Sequence, residues 1–176
     1  ESALVSRVFG GTFVHLRAIQ GDWASIAAHT EGWVPLSALR DLQSLPHNSA
    51  QRRQQMAADA VTLMGVPYLW GGSSANGIDC SGFAQLVHRW SGITLRRDAD
   101  MQMEDGQPVD PQALQPGDLL FFGEPGDRRS ITHVGMSLGG WQMIHSSRSH
   151  NGVYIDDVTQ VVHLRESFAG ARTYLA

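Results

Sequence analysis

Pro67-Tyr68-Leu69-Trp70-Gly71-Gly72, followed a few residues later by Asp79-Cys80-Ser81-Gly82-Phe83, sets the only cysteine of the chain where a turn feeds into a helix. Beyond it Phe83, Leu86, Val87 and Trp90 recur at helical spacing, which predicts a helix with one buried face. Asp79 and Ser81 are good cap residues, so Cys80 is expected in or just before the first turn. Backbone N–H groups are unpaired there and the helix dipole is positive, so a thiolate is favoured over a thiol. A free cysteine is most often a small buried hydrophobe. The glycine-rich approach and polar flanks are poor surroundings for such a residue, and Cys80 reads as a nucleophile.

A thiolate nucleophile needs a base, and the base needs a group to orient it. Ile131-Thr132-His133-Val134-Gly135-Met136-Ser137-Leu138 reads as a strand, Gly139-Gly140 as a turn, and Trp141-Gln142-Met143-Ile144-His145 as the returning strand. Side chains alternate faces, so the connection decides whether the two histidines meet. A strict two-residue turn would put His133 and His145 on opposite faces. A three-residue connection, Leu138-Gly139-Gly140, would pair them directly, and Gly140 suits the left-handed position of the bulge that such loops carry. Singly, each histidine could equally be an ordinary polar residue of a half-exposed sheet.

Five ordered segments carry a resemblance: 67–72, 79–83, Gln115-Pro116-Gly117-Asp118-Leu119-Leu120-Phe121-Phe122, His133-Val134-Gly135 and Ile144-His145. Over roughly residues 50–176 the chain resembles the NlpC-type family of papain-like cysteine peptidases, which cut bacterial cell-wall peptides. The resemblance implies an α+β fold with helices packed on an antiparallel sheet. It implies Cys80 as nucleophile, His133 as general base, His145 as the polar residue orienting it, and a contribution from the Tyr68 hydroxyl at the oxyanion. The Cys80 backbone N–H is a second candidate oxyanion donor. Tyr68 can also be a packing aromatic. His133 would take the thiol proton, or share it as a thiolate–imidazolium pair, and later deliver it to the leaving amine.

The chain has 176 residues, 42% of them hydrophobic, enough to form a core, and no apolar run approaches a membrane span. A net charge of -4 gives no footprint for nucleic acid. Eight histidines invite a metal hypothesis, but no His-Glu-x-x-His pattern occurs and one cysteine cannot build a zinc–thiolate cluster, so no cofactor is expected. His15, His29, His47, His88 and His163 read as surface or satisfied polar residues, and Arg52-Arg53 and Arg96-Arg97 as solvated pairs, the latter bordering the cleft. Glu1 opens the chain without methionine or an apolar leader, so either a leader has been removed or the chain starts at a chosen boundary. The compartment, cytoplasm or beyond an export step, stays open.

Residues 1–42 have a different texture. Gly11-Thr12-Phe13-Val14-His15-Leu16, Trp23-Ala24-Ser25-Ile26-Ala27 and Glu31-Gly32-Trp33-Val34 read as short strands around a turn at Gln20-Gly21-Asp22. They resemble the later part of a bacterial SH3-like barrel whose opening strands are missing. Residues 43–49 read as a linker, and Ser49 as the cap of a helix over about 50–64. Met101 to Gly106 and the proline-marked 108–116 read as a long connection, and 124–130 as a polar loop on the cleft rim.

The expected reaction is hydrolysis of murein stem peptides at the γ-D-glutamyl–L-diamino acid bond through a thioester, which is what the family resemblance implies. Several such relatives require a free N-terminal L-alanine. Asp79 is expected to pair with that ammonium, with Ser81 and Trp70 as further substrate contacts and the SH3-like module limiting substrate length. Asp79 and Ser81 can serve as helix caps as well. The alternatives are acyl transfer or amide hydrolysis on another substrate by the same thiol, and a non-catalytic wall-binding protein that has kept the scaffold.

Overall fold

The computed structural model describes residues 3–124 and 130–175. Chain contacts divide it into two units, 1–45 and 46–176. In the first unit β1 (His15–Gln20), β2 (Trp23–Ala27) and β3 (Glu31–Pro35) form an antiparallel meander. The first strand begins later than its alternation suggested. The tight turn at Gly21-Asp22 pairs Gln20 with Trp23, and that register carries β1 back only as far as His15, opposite Ala27.

The second unit opens with α1 (Ser49–Val61), capped by the Asn48 side chain rather than by Ser49. A two-stranded ribbon, β4 (Ser73–Ser74) and β5 (Gly77–Ile78), leads into α2 (Cys80–Trp90). The span expected as a long connection is structured: α3 (Ala99–Asp105), β6 (Gln107–Val109) and a short 3-10 turn at Pro111–Ala113. Pro108 is tolerated because β6 is an edge strand, where a missing N–H leaves no ladder bond unmade. Then come β7 (Leu119–Phe122), β8 (His133–Gly139), β9 (Gln142–Ser147), β10 (Gly152–Asp157), α4 (Val162–Ser167) and β11 (Phe168–Thr173). The rim loop expected over 124–130 falls largely outside the described residues.

The sheet runs β10-β9-β8-β7-β11-β6, with every pairing antiparallel. The unbroken apolar run of β7 follows from burial on both faces. Leu119 and Phe121 join Val134, Met136 and Ile144 under the α2 residues Phe83, Ala84 and Val87. Leu120 and Phe122 face the other way, with Met143, Val158 and Leu164. Each such large side chain contributes about 1.5–3 kcal/mol by leaving water. Packing of α2 on β8 and β9 brings the start of the helix to the histidine strands.

Several polar residues read as solvated lie inside. Arg53 of α1 pairs with buried Asp118 at 2.7 Å and donates to the Pro116 carbonyl and Thr173 hydroxyl, locking the helix to the start of β7 and to β11. Arg52 reaches the Ser91 carbonyl. Only Arg96 keeps to the surface, between Glu104 and Asp105.

His88 is fully buried: Nδ1–H donates to the Ala84 carbonyl at 2.8 Å, and Nε2 has no partner. Burial pushes this ring down to about 4. An unfolded histidine titrates near 6.5, so between these values the unfolded chain binds a proton that the folded one refuses. Stability therefore falls as the pH drops from 6.5 towards 4. His88→Phe, which keeps the ring against Tyr174, is expected to flatten that fall. Melting temperatures at pH 7 and pH 5 check it; an unchanged difference between the two pH values would refute it.

Candidate active site

Cys80 is the first residue of α2 and is 8% exposed. Asp79 is the N-cap, extended in backbone, and its carboxylate accepts from the Gly82 N–H at 2.7 Å. The same carboxylate accepts from the Gly71 N–H at 2.8 Å, so one side chain ties the glycine turn to the helix start. The approach is close. A Cβ on Gly82 would lie 2.3 Å from the Gly72 carbonyl oxygen, and one on Gly72 would lie 2.4 Å from that of Gly77. On the far flank the buried Ser146 hydroxyl donates to the Ile78 carbonyl at 2.7 Å, bracing the residues before Cys80 against β9.

His133 and His145 meet. In the β8–β9 ladder Met136 pairs with Ile144 and Ser137 with Met143, then the register shifts between Ser137 and Gly139. The extra residue, Leu138, restores the parity that a strict two-residue turn would have broken, and Gly140 takes the left-handed position with φ 57°. The histidines are not directly paired, as a three-residue connection would have had them. Continued, the ladder sets His145 across from Gly135, so the His133 ring reaches it along the diagonal. Gly135 leaves room: a Cβ there would lie 2.3 Å from the Met143 sulfur and 3.0 Å from the His145 Cβ.

His133 Nε2 and His145 Nδ1 are 2.7 Å apart, and His145 Nε2 lies 3.3 Å from Asp156 Oδ2. Asp156 is a member of the site that the sequence reading missed. It lies on β10, where Tyr154 pairs with His145 and Asp156 follows two residues on, on the same face. The carboxylate accepts only, so His145 Nε2 must donate to it and His145 Nδ1 must accept from His133 Nε2–H. In neutral rings this leaves His133 Nδ1 as the free lone pair. Burial, with like charge from His150 and His163, pushes His145 down to about 4, so its contact with Asp156 is a hydrogen bond from a neutral ring.

Burial works against the resting thiolate expected from the helix start. Burial pushes the Cys80 thiol up, and the Asp79 charge adds to this; N–H groups of Val134, Ser81 and Cys80 itself pull the other way without prevailing. Burial, with His145 and His163, pushes His133 down to about 3. Both shifts work against a resting thiolate–imidazolium pair. The backbone N–H of Val134, next to His133 in β8, acts on the Cys80 thiol, so the strand that carries the base runs past the sulfur.

Asp79 does not offer a free carboxylate to a substrate amine. Besides its two backbone N–H donors it receives Arg97 on both oxygens, at 2.5 and 3.0 Å, and Arg97 also donates to the Ser81 hydroxyl at 2.7 Å. The charge is neutralised and the acceptor positions are filled, so Asp79 and Ser81 organise the helix start. Arg97, read as solvated, is their ion-pair partner. Tyr68 is half-buried; desolvation and the neighbouring Cys80 raise its pKa against the opposing pull of Arg148, so it stays a donor at neutral pH. Trp70 is 74% exposed. No group of three or more metal-ligating side chains occurs among the described residues.

A thiol at a helix start, packed against two adjoining inner strands that carry a hydrogen-bonded histidine pair, defines the chemistry of a cysteine hydrolase. The chain belongs to the NlpC/P60 family, whose match covers residues 65–172. It is 42% identical over 113 residues to a gamma-D-glutamyl-L-lysine dipeptidyl-peptidase of Bacillus cereus, covering 64% of this chain and 34% of that protein. A Bacillus subtilis protein of the same name is 37% identical over 112 residues, covering 64% and 38%. The chain thus spans little more than a third of the length of these relatives. The crystal structure of an NlpC/P60 family protein from Bacillus cereus superposes with a TM-score of 0.81 at 31% identity, over 93% of this chain and 54% of that one.

Proposed function

We propose that this chain is a cysteine endopeptidase acting on murein stem peptides at the γ-D-glutamyl–L-diamino acid bond. The observation that carries the reading is the Asp156–His145–His133 chain of hydrogen bonds, on the strand whose Val134 N–H acts on the Cys80 thiol. The names of the two Bacillus relatives support the choice of bond. As substrate binds, Cys80 Sγ attacks the γ-carbonyl carbon while its proton passes to His133 Nδ1. The imidazolium so formed is held through Nε2–H by His145. The oxyanion is held by the Cys80 N–H at the helix start and by the Tyr68 hydroxyl. Collapse breaks the C–N bond, His133 returns the proton to the leaving amine, and water then hydrolyses the thioester.

Residues 1–42 form, in the same proposal, a partial SH3-like module; the β1–β3 meander supports it. Residues 43–49 act as linker and 50–176 as the catalytic domain. A free N-terminal L-alanine is preferred, and an Asp79 carboxylate already paired with Arg97 would have to share that pairing to receive its ammonium. Mass spectrometry of L-Ala-γ-D-Glu-L-Lys digests is expected to show L-Ala-D-Glu and lysine. The N-acetylated peptide should be cut at least about tenfold more slowly, the effect of losing a charged hydrogen bond. Equal rates would remove the amine preference, and no cleavage of either peptide would overturn the reading.

A further inference from the structure

Arg148 lies in the turn between β9 and β10, and its guanidinium stands over two aromatic faces, 5.2 Å from the Trp70 ring centre and 5.6 Å from that of Tyr68. The turn is closed by the Asn151 N–H donating to the Arg148 carbonyl at 3.1 Å, and the Asn151 carbonyl accepts from the Tyr68 N–H at 3.1 Å. Arginine turn and tyrosine segment are therefore laced together by backbone hydrogen bonds. Tyr68 lies within electrostatic reach of both Arg148, which lowers its pKa, and Cys80, which raises it. Among the described residues no carboxylate lies within ion-pairing distance of Arg148. The other arginines near the cleft are engaged, Arg97 by Asp79 and Arg96 by Glu104 and Asp105. An exposed cation stacked on two rings and left without a counter-charge, beside a nucleophile, has the properties of an anion receptor.

We infer that Arg148, held over Tyr68 and Trp70, binds the free α-carboxylate of the γ-linked glutamyl residue whose side-chain amide Cys80 attacks. The inference rests on the proposed function and adds which group of the acyl donor is recognised. In a γ-glutamyl bond the α-carboxylate survives, four single bonds of ~1.5 Å each from the carbonyl carbon under attack. In an ordinary α-linked peptide that carboxylate has become the scissile amide itself. A guanidinium close to the nucleophile therefore favours acyl donors that keep a free carboxylate four bonds from the scissile carbonyl over donors that carry no charge there. The planar fork of arginine binds both carboxylate oxygens, whereas lysine meets them as a point charge. Tyr68 then serves two ends of one substrate, steadying Arg148 at the carboxylate and donating towards the oxyanion.

The test compares kcat/KM for L-Ala-γ-D-Glu-L-Lys with the same peptide carrying an α-carboxamide in place of the α-carboxylate. The wild-type chain is expected to prefer the acid by about 10- to 100-fold, the effect of a charge-assisted hydrogen-bonded pair. In Arg148→Gln the ratio should collapse towards one; in Arg148→Lys an intermediate preference should remain. The ratio is measured within each variant, so a general loss of activity does not disguise the result, and Arg148 is exposed, so folding is not at stake. Equal cleavage of acid and amide by wild type, or an undiminished ratio in Arg148→Gln, would overturn the inference while leaving the peptidase reading intact. Failure of wild type to cut either peptide would overturn both.

Discussion

Cys80→Ala is expected to abolish hydrolysis while leaving the fold standing. The sulfur is the only group placed to form the thioester, and loss of a nucleophile from a concerted set removes roughly four or more orders of magnitude. The structural cost is small by comparison. Asp79 still caps the helix through the Gly82 N–H, and its bonds to Gly71 and Arg97 do not pass through the sulfur. Deleting one buried atom costs about 1 kcal/mol. Cys80→Ser should fare little better, since an alcohol ionises far less readily than a thiol and the neutral ring pair beside it supplies no carboxylate to compensate in direct contact with the base. Turnover is to be measured with circular dichroism on the same samples. Hydrolysis by a verified Cys80→Ala protein at even a tenth of the wild-type rate would end the mechanism.

Losing the base should rank next. His133→Ala removes the base proposed to take the thiol proton, and general-base assistance contributes about 10²- to 10⁴-fold. His145→Ala should cost less, because His133 survives and loses only its orientation. Asp156→Ala should cost least, and its effect has a distinct origin. Without a carboxylate at its Nε2, His145 can adopt the other tautomer, with Nδ1–H facing His133. His133 must then accept at Nε2, which turns its N–H rather than its lone pair towards Cys80. The expected order of kcat is wild type, Asp156→Ala, His145→Ala, His133→Ala. The wild-type acid limb should lie below the ordinary histidine range near 6.5, since burial holds His133 down and activity needs the ring unprotonated. An acid limb above 6.5, or Asp156→Ala falling below His133→Ala, would contradict this arrangement.

The residues that carry chemistry were largely legible in the sequence, because each sits on a local pattern. A capping aspartate before a helical apolar stripe places Cys80, and two strands around a glycine pair place both histidines. Linkages between distant segments were not legible. Arg53 and Arg97 look like surface charges until their partners, at Asp118 and Asp79, arrive from elsewhere in the chain. Asp156 carries no motif; it joins the site only through the β9–β10 register. The thiol's ionisation was read from the helix dipole alone, a local quantity, while the dominant influence, burial under the sheet, is a property of the whole unit. Pro108 likewise read as a break in structure, because edge position cannot be seen from composition.

The extra residue at Leu138 has a genetic consequence. Faces alternate along a strand, so loss of a single codon from this connection would turn one histidine out of the cleft while leaving both in the sequence. Loss or gain of two codons would keep them facing the same way. Length variation in this hairpin among descendants of such a gene should therefore come in even steps. A descendant that departs by one has, unless a second change restores the count, become a scaffold that keeps its signature and no longer cuts.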